Sequence, residues 1–308
     1  MTHSLRKYLA IPWKASVLMR EDIQIEWLVE GLIPVMGKVL LAAQWKTGKS
    51  LLAMQLAHAI SQGSRFLKYD AANPVPTTLI DLEIGPAIMV DRLRRMAPVY
   101  PDAGDNITIV MLRSGREGLD SALLSSSTSQ LVIVDPAISI GYDNENESAP
   151  VRRKLDEISD MVAGELGAST MLVHHVRKPP RDGLVGSLLN ESRGSSAFVD
   201  WCDVGIGMAK AGGGRFKVEV VNRSAPDEEP YYIVRDSNTL TYNMEGPQVI
   251  VTPDLVEECV IEWQVGNGKD VSLRPSQEEV VKRLQHKVNR GRTVVLAQLK
   301  DIGGYKKH

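Results

Sequence analysis

The sequence predicts an α/β fold: a mostly parallel, twisted central sheet flanked by helices, with a small C-terminal appendage. Short apolar runs alternate with helical stretches from residue 38 to residue 176, and strand–helix alternation implies parallel strands joined by crossover helices. The later runs, at 204–208, 216–221 and 231–234, are joined by turns containing Gly or Pro, such as AGGG at 211–214. These add antiparallel strands toward the end. A chain of 308 residues, 43% hydrophobic, suits one large domain with a full core.

Residues 38–52, KVLLAAQWKTGKSLL, read as an apolar strand, a tight loop and a helix start. The loop Ala43, Gln44, Trp45, Lys46, Thr47, Gly48, Lys49, Ser50 fits G-x-x-x-x-G-K-[ST] except at its first position, where alanine replaces glycine. Alanine is tolerated there if its φ is negative, because only a left-handed backbone demands glycine. Amide N–H groups of such a loop, with the positive end of the following helix, bind the β-phosphate of a nucleotide. Lys49 is expected to reach the β- and γ-phosphates, the Ser50 hydroxyl to ligate Mg²⁺, and Leu51 to open an amphipathic helix at 51–60. ATP and Mg²⁺ are the expected ligands.

The following elements place further chemistry at strand ends, where ligands of such sheets bind. Residues 77–82 (TTLIDL) are a strand running into Glu83, and 86–96 has helical spacing with proline near its start. Residues 107–112 and, after a serine-rich loop, 131–134 are strands; 151–166 reads as a charged amphipathic helix, and 170–176 as the next strand. Asp135 directly follows the run LVIV, which delivers one carboxylate to the Mg²⁺ shell. Glu83 is placed to polarise an attacking water as general base.

Composition excludes other classes. Cys202 and Cys259 lie far apart, without metal-ligand spacing, so neither a disulfide framework nor structural zinc is supported, and a cytoplasmic location fits. The start lacks an apolar signal core, and no run reaches the roughly 18 apolar residues of a membrane helix. The net charge of −2 argues against a wholly basic coat protein. From residue 268 to 308, however, ten Lys or Arg face four acids, leaving the tail at +6 and the body at −8. Such a tail supplies sequence-independent phosphate affinity, or is a solvated helix face.

Taken together, the phosphate-loop region, LIDLE with a later RL, LVIVDP, LVHHVRK and RGSSAFVDWCD resemble the RecA-like ATPases of the RepA type, the DnaB-related hexameric replicative helicases of plasmids, phages and mobile elements. The resemblance covers about residues 25–240 and implies a RecA-like P-loop NTPase core at 25–250, preceded by an extension at 1–24; the basic appendage at 251–308 falls outside it, and its short helices expected at 276–286 and 293–299 are compatible with a helix-turn-helix-like module or with a packing appendage. It implies that Lys49 and Ser50 hold phosphates and metal, Glu83 is the catalytic base and Asp135 the metal-shell carboxylate. His174 and His175 point to opposite sheet faces in a strand and cannot readily share a metal; by resemblance, His175 senses the γ-phosphate. The long loop at 177–196 is expected to line a central channel, with Arg177, Lys178, Arg181 and Arg193 meeting DNA, and residues 139–150 to form a second, acidic loop. Arg223 matches the arginine finger that acts on a neighbour's nucleotide, but Val221 stands where the family has lysine, so Arg193 competes with it. Arg92 is expected to flank the adenine.

The function expected is an ATP-dependent helicase or translocase on single-stranded DNA, working as a homo-oligomer, by resemblance a hexameric ring, with a primase or replication initiator as partner and no membrane. A RecA-paralogue switch that binds DNA and ATP without unwinding is the alternative, and a small-molecule kinase a third class for which no acceptor lid is evident.

Overall fold

The computed structural model describes residues 12–112, 118–140, 148–176, 197–226, 228–245, 252–266, 275–288 and 299–300. Its elements, in chain order, begin with a four-residue helix α1 (Ala15–Leu18), a small antiparallel ribbon β1 (Trp27–Val29) and β2 (Ile33–Pro34), β3 (Lys38–Ala43) and α2 (Lys49–Gln62). A second ribbon, β4 (Arg65–Phe66) and β5 (Tyr69–Asp70), precedes β6 (Thr77–Asp81), α3 (Pro86–Met96), β7 (Ile107–Met111), α4 (Leu119–Ser125) and β8 (Leu131–Asp135). Then come α5 (Ser148–Ser159), β9 (Ser169–His175), α6 (Ala197–Trp201), β10 (Val204–Gly212), β11 (Arg215–Asn222), β12 (Tyr231–Arg235), β13 (Tyr242–Met244), α7 (Pro253–Gly266) and α8 (Gln277–Val288).

The main sheet has nine strands in the order β13-β12-β11-β10-β3-β9-β8-β6-β7. From β10 to β7 every neighbouring pair is parallel, whereas β10 to β13 form an antiparallel meander. The sheet is mostly parallel and flanked by helices, as the alternation of the sequence predicts. The central strands β3, β9, β8 and β6 are buried along nearly their whole length because both faces are covered there. Along β3, Val39, Leu41 and Ala43 enter the core shared with α2 and α3, while Leu40 and Ala42 enter the core shared with α4, α5 and α6. The same alternation repeats in β8, where Leu131 and Ile133 face one core and Val132 and Val134 the other.

Several elements differ from expectation. Helix α2 is buried all round rather than amphipathic, since residues 51–61 are all buried; besides the sheet, the ribbon strand β4 and the turn at 104–106 pack against it. Gln55 in α2 donates to the Tyr242 carbonyl at 2.9 Å and accepts from the Tyr242 N–H at 2.6 Å, binding β13 over the helix. Strand β6 ends at Asp81, so Glu83 lies two residues past it, in the turn. The helix expected over 151–166 is α-helical only to Ser159 and continues as a π-helical segment from Asp160 to Leu166. At that junction the Trp201 indole N–H donates to the Ser159 hydroxyl at 2.7 Å. Part of the serine-rich stretch is helical: Ser125 and Ser126 hydroxyls both donate to the Ala122 carbonyl at 2.8 Å.

Helices α7 and α8 form their own apolar cluster around Cys259, Val260, Val281 and Leu284. Ser276 and Glu279 make a reciprocal cap: the Glu279 carboxylate accepts from the Ser276 N–H at 2.7 Å, and the Ser276 hydroxyl accepts from the Glu279 N–H at 3.3 Å. The second tail helix expected at 293–299 lies almost wholly outside the described residues. Among the described residues no helix is long and apolar enough to cross a membrane.

Candidate nucleotide site

Register brings the strand ends together. Ala43 lies beside His175 across β3 and β9, and Asp81 beside Asp135 across β6 and β8. All four therefore sit at the carboxyl edge of the parallel half of the sheet, where the loop between β3 and α2 also turns. Ala43 closes its strand without a positive φ; the left-handed positions of the loop are Lys46, at 56°, and Gly48, at 95°. Gly48 caps α2, and its carbonyl accepts from the N–H groups of Leu51 and Leu52 at 3.0 and 3.1 Å. A methyl group on Gly48 would collide with the Tyr242 hydroxyl, so both backbone angle and space demand glycine.

A cavity of about 310 Å³ opens in front of this loop. Trp45, Lys46, Gly48, Lys49, Ser50 and Leu51 line it from the loop and helix; Glu83, Ile84 and Arg92 line it from the β6–α3 side; His175 and Arg235 complete it. Ala43, Gln44, Thr47 and Asp135 do not line it; Ala43, Thr47 and Asp135 are buried, and Gln44 is half-buried. Trp45 is two-thirds exposed at the rim, with the Lys46 ammonium 4.1 Å from its ring centre.

Lys49 is 5% exposed, and burial pushes its pKa down, against the attraction of Asp135 and then Glu83. Its ammonium lies 2.9 Å from Nδ1 of His175. An ammonium has only donors, so with Lys49 charged, Nδ1 is the acceptor and the ring proton of a neutral His175 sits on Nε2. His174 turns the opposite way, fully buried and stacked on Phe198 at 4.0 Å, so the two histidines do not share a site.

Asp135 is 4% exposed, and burial raises its carboxyl to about 6 even though the Ser50 hydroxyl bonds to it and the Lys49 charge attracts it; Asp81 and Glu83 add repulsion. Its Oδ1 is buried without a hydrogen-bond partner. An unsatisfied buried carboxylate oxygen beside a serine hydroxyl fits a divalent cation, and Mg²⁺ is commonly bound through one or two carboxylates plus phosphate oxygens. Among the described residues no three His, Cys, Asp or Glu converge as a metal cage, so the protein's share of such a site would be Ser50 and Asp135.

Sequence reasoning missed Asp81. Buried at the tip of β6, it accepts from the N–H groups of Glu83 and Ile84 at 3.1 and 2.8 Å and so fixes the turn that carries Glu83 to the cavity. The signal is a carboxylate inside the apolar run TTLIDL, overshadowed by its neighbour Glu83. Arg235 was also missed. It reaches the cavity only because the meander folds back over α2, and no local motif marks it.

Other expected residues lie elsewhere. Arg223 follows β11 at the opposite sheet edge, where Asn222 pairs with Val204 and Val204 with Val39 at the start of β3. There its guanidinium donates to the Asp200 carbonyl at 3.2 Å and lies 3.8 Å from Asp203. Arg177, Lys178, Arg181 and Arg193 lie outside the described residues, as does most of the acidic loop.

Comparison with known proteins matches this architecture. Residues 6–181 match the family described as "AAA domain" (AAA_25). Of solved structures, one described as an "ATPase Domain" aligns with a TM-score of 0.55 and 14% identity, covering 79% of this chain and 99% of that one. A DnaB-like replicative helicase, solved with attention to its interactions with primase, aligns at 0.56 and 14% identity over 79% of this chain and 68% of that one. At such identity the likeness carries the fold. Family and fold together establish that this chain belongs to the AAA-domain family and is built on a RecA-like ATPase core.

Proposed function

We propose that this chain is an ATP-driven motor of the RepA type that translocates on single-stranded DNA and separates strands during replication of a plasmid, phage or other mobile element. The observation that carries this reading is the convergence of Lys49, Ser50, Glu83 and His175 on one cavity, with Asp135 directly behind them.

Within that reading, the loop amides and Lys49 hold the β- and γ-phosphates, Ser50 and Asp135 hold Mg²⁺, and Arg92 flanks the base. Bound there, Mg²⁺ neutralises charge developing on the phosphate oxygens. Glu83 is exposed at the cavity wall and takes the proton of the attacking water. His175, joined to Lys49, ends the strand that leads into the loop at 177–196, so a change at the phosphate end passes directly to the residues proposed to grip DNA. Helices α7 and α8 have an apolar cluster of their own, which supports a separate appendage at 251–308 with a body at 25–250. A ring, by family a hexamer, a primase or initiator as partner and a cytoplasmic setting belong to the same proposal.

A second reading, an ATP switch that assembles on DNA without unwinding, is favoured by the engagement of Arg223 with Asp203 and Asp200 of its own chain. Three measurements separate the two: native mass with and without ATP and Mg²⁺, ATPase with and without single-stranded DNA, and displacement of a labelled strand. The motor reading expects a nucleotide-stabilised multimer, DNA-stimulated turnover and displacement; a monomer under all conditions would overturn it.

A further inference from the structure

We infer that Tyr242, from the last strand of the sheet, is a positioning residue for the phosphate loop: its hydroxyl holds the Gly48 carbonyl and with it the backbone that receives the nucleotide. The hydroxyl donates to the Gly48 carbonyl at 3.1 Å, across 194 residues of sequence. It occupies the space where a side chain at position 48 would project, so loop and tyrosine are fitted to each other.

The tyrosine is itself fixed from three sides. Gln55 holds both its N–H and its carbonyl. Phe216 packs edge-on against its ring, with centroids 5.5 Å apart. The whole side chain is 1% exposed, and a hydrogen bond from the cavity-lining Arg235 reaches its hydroxyl. The phenol can accept from Arg235 while donating to Gly48, so a cation of the nucleotide cavity and the turn of the loop meet on one oxygen.

This places a buried O–H on the carbonyl that starts α2. That carbonyl orients the peptide between Gly48 and Lys49, whose N–H is one of the donors a phosphate would meet. The hydroxyl keeps this donor aimed before ligand arrives, which strengthens binding without touching phosphate or the attacking water.

The inference rests on nucleotide binding at this cavity, and the test separates the two. Nucleotide affinity is measured with a fluorescent ATP analogue and Mg²⁺ for wild type and Tyr242→Phe, together with KM, kcat and thermal midpoint. Phenylalanine keeps the ring and its packing on Phe216. A rise of about tenfold in Kd and KM, with kcat within about twofold and an unchanged midpoint, is expected for loss of one positioning hydrogen bond. A lowered midpoint with unchanged Kd makes the tyrosine merely structural and overturns the inference, as does no effect on either. Wild type that fails to bind the analogue overturns the nucleotide reading itself. Gln55→Ala, which releases the strand that carries the phenol, is expected to raise Kd in the same direction; an unchanged Kd in that variant also counts against the role.

Discussion

Replacing Asp135 by asparagine should stabilise the metal-free protein while destroying its capacity for nucleotide and Mg²⁺. The carboxyl is raised from 3.8 to about 6, a balance in which burial outweighs the Ser50 hydrogen bond and the Lys49 charge. A carboxyl raised on folding contributes stability at low pH, fully so below 3.8, and that contribution is lost as pH rises through about 6. A tenfold change in proton affinity on folding is worth about 1.4 kcal/mol, so ionised Asp135 destabilises the folded chain by about 3 kcal/mol near neutral pH and by roughly half that at about pH 5. Asparagine keeps the size and removes the charge. Thermal unfolding in chelator should therefore show the variant melting roughly 5–10 °C above wild type at about pH 7.5, with the gap narrowing by nearly half at about pH 5. Adding ATP and Mg²⁺ should raise the wild-type midpoint and leave the variant where it was. A variant that melts at or below wild type in chelator, or a gap that does not narrow in acid, refutes the picture of a desolvated carboxylate awaiting a cation.

Substituting Lys49 by alanine should abolish ATP turnover with the fold retained by circular dichroism; residual turnover above about 1% of wild type would place the active centre elsewhere. Glu83→Gln should lower kcat by about 10²–10⁴ with nucleotide Kd within about threefold, as expected of a base acting only in the chemical step; a Kd that worsens as much as kcat would assign Glu83 to binding instead.

The parallel half of the sheet was legible because its strands centre on short apolar runs separated by helical or turn-rich stretches, most clearly VLLAA in β3 and LVIV in β8. The loop was legible for a different reason: its backbone geometry restricts residue choice, and Gly48, Lys49 and Ser50 satisfy that restriction within three consecutive positions. Contributions from distant segments were not. Arg235 and Tyr242 reach the cavity and its loop through sheet pairing of short strands, and β13, at three residues, has too little length for a periodic pattern. Asp81 was overlooked because its part in the site comes from two backbone partners, the N–H groups of Glu83 and Ile84, that only the folded turn brings to it. The helical character of residues 119–125 was hidden by serines, whose hydroxyls bond back to a helix carbonyl rather than compete with the helix.

The order of strands in the sheet also governs when the protein can begin to work. Strand β3 is made early, but its neighbours are β9 and β10, and the partners of Lys49 and Gly48 arrive 126 and 194 residues later. A nascent chain emerging from the ribosome thus carries its phosphate loop through more than a hundred further residues before the neighbouring strands of the sheet are made. Contacts of such span are slow to close and leave apolar strands exposed meanwhile. ATP, binding only after the last strands have docked, would then act as the seal on a finished molecule, drawing the late-closing meander toward completion by mass action.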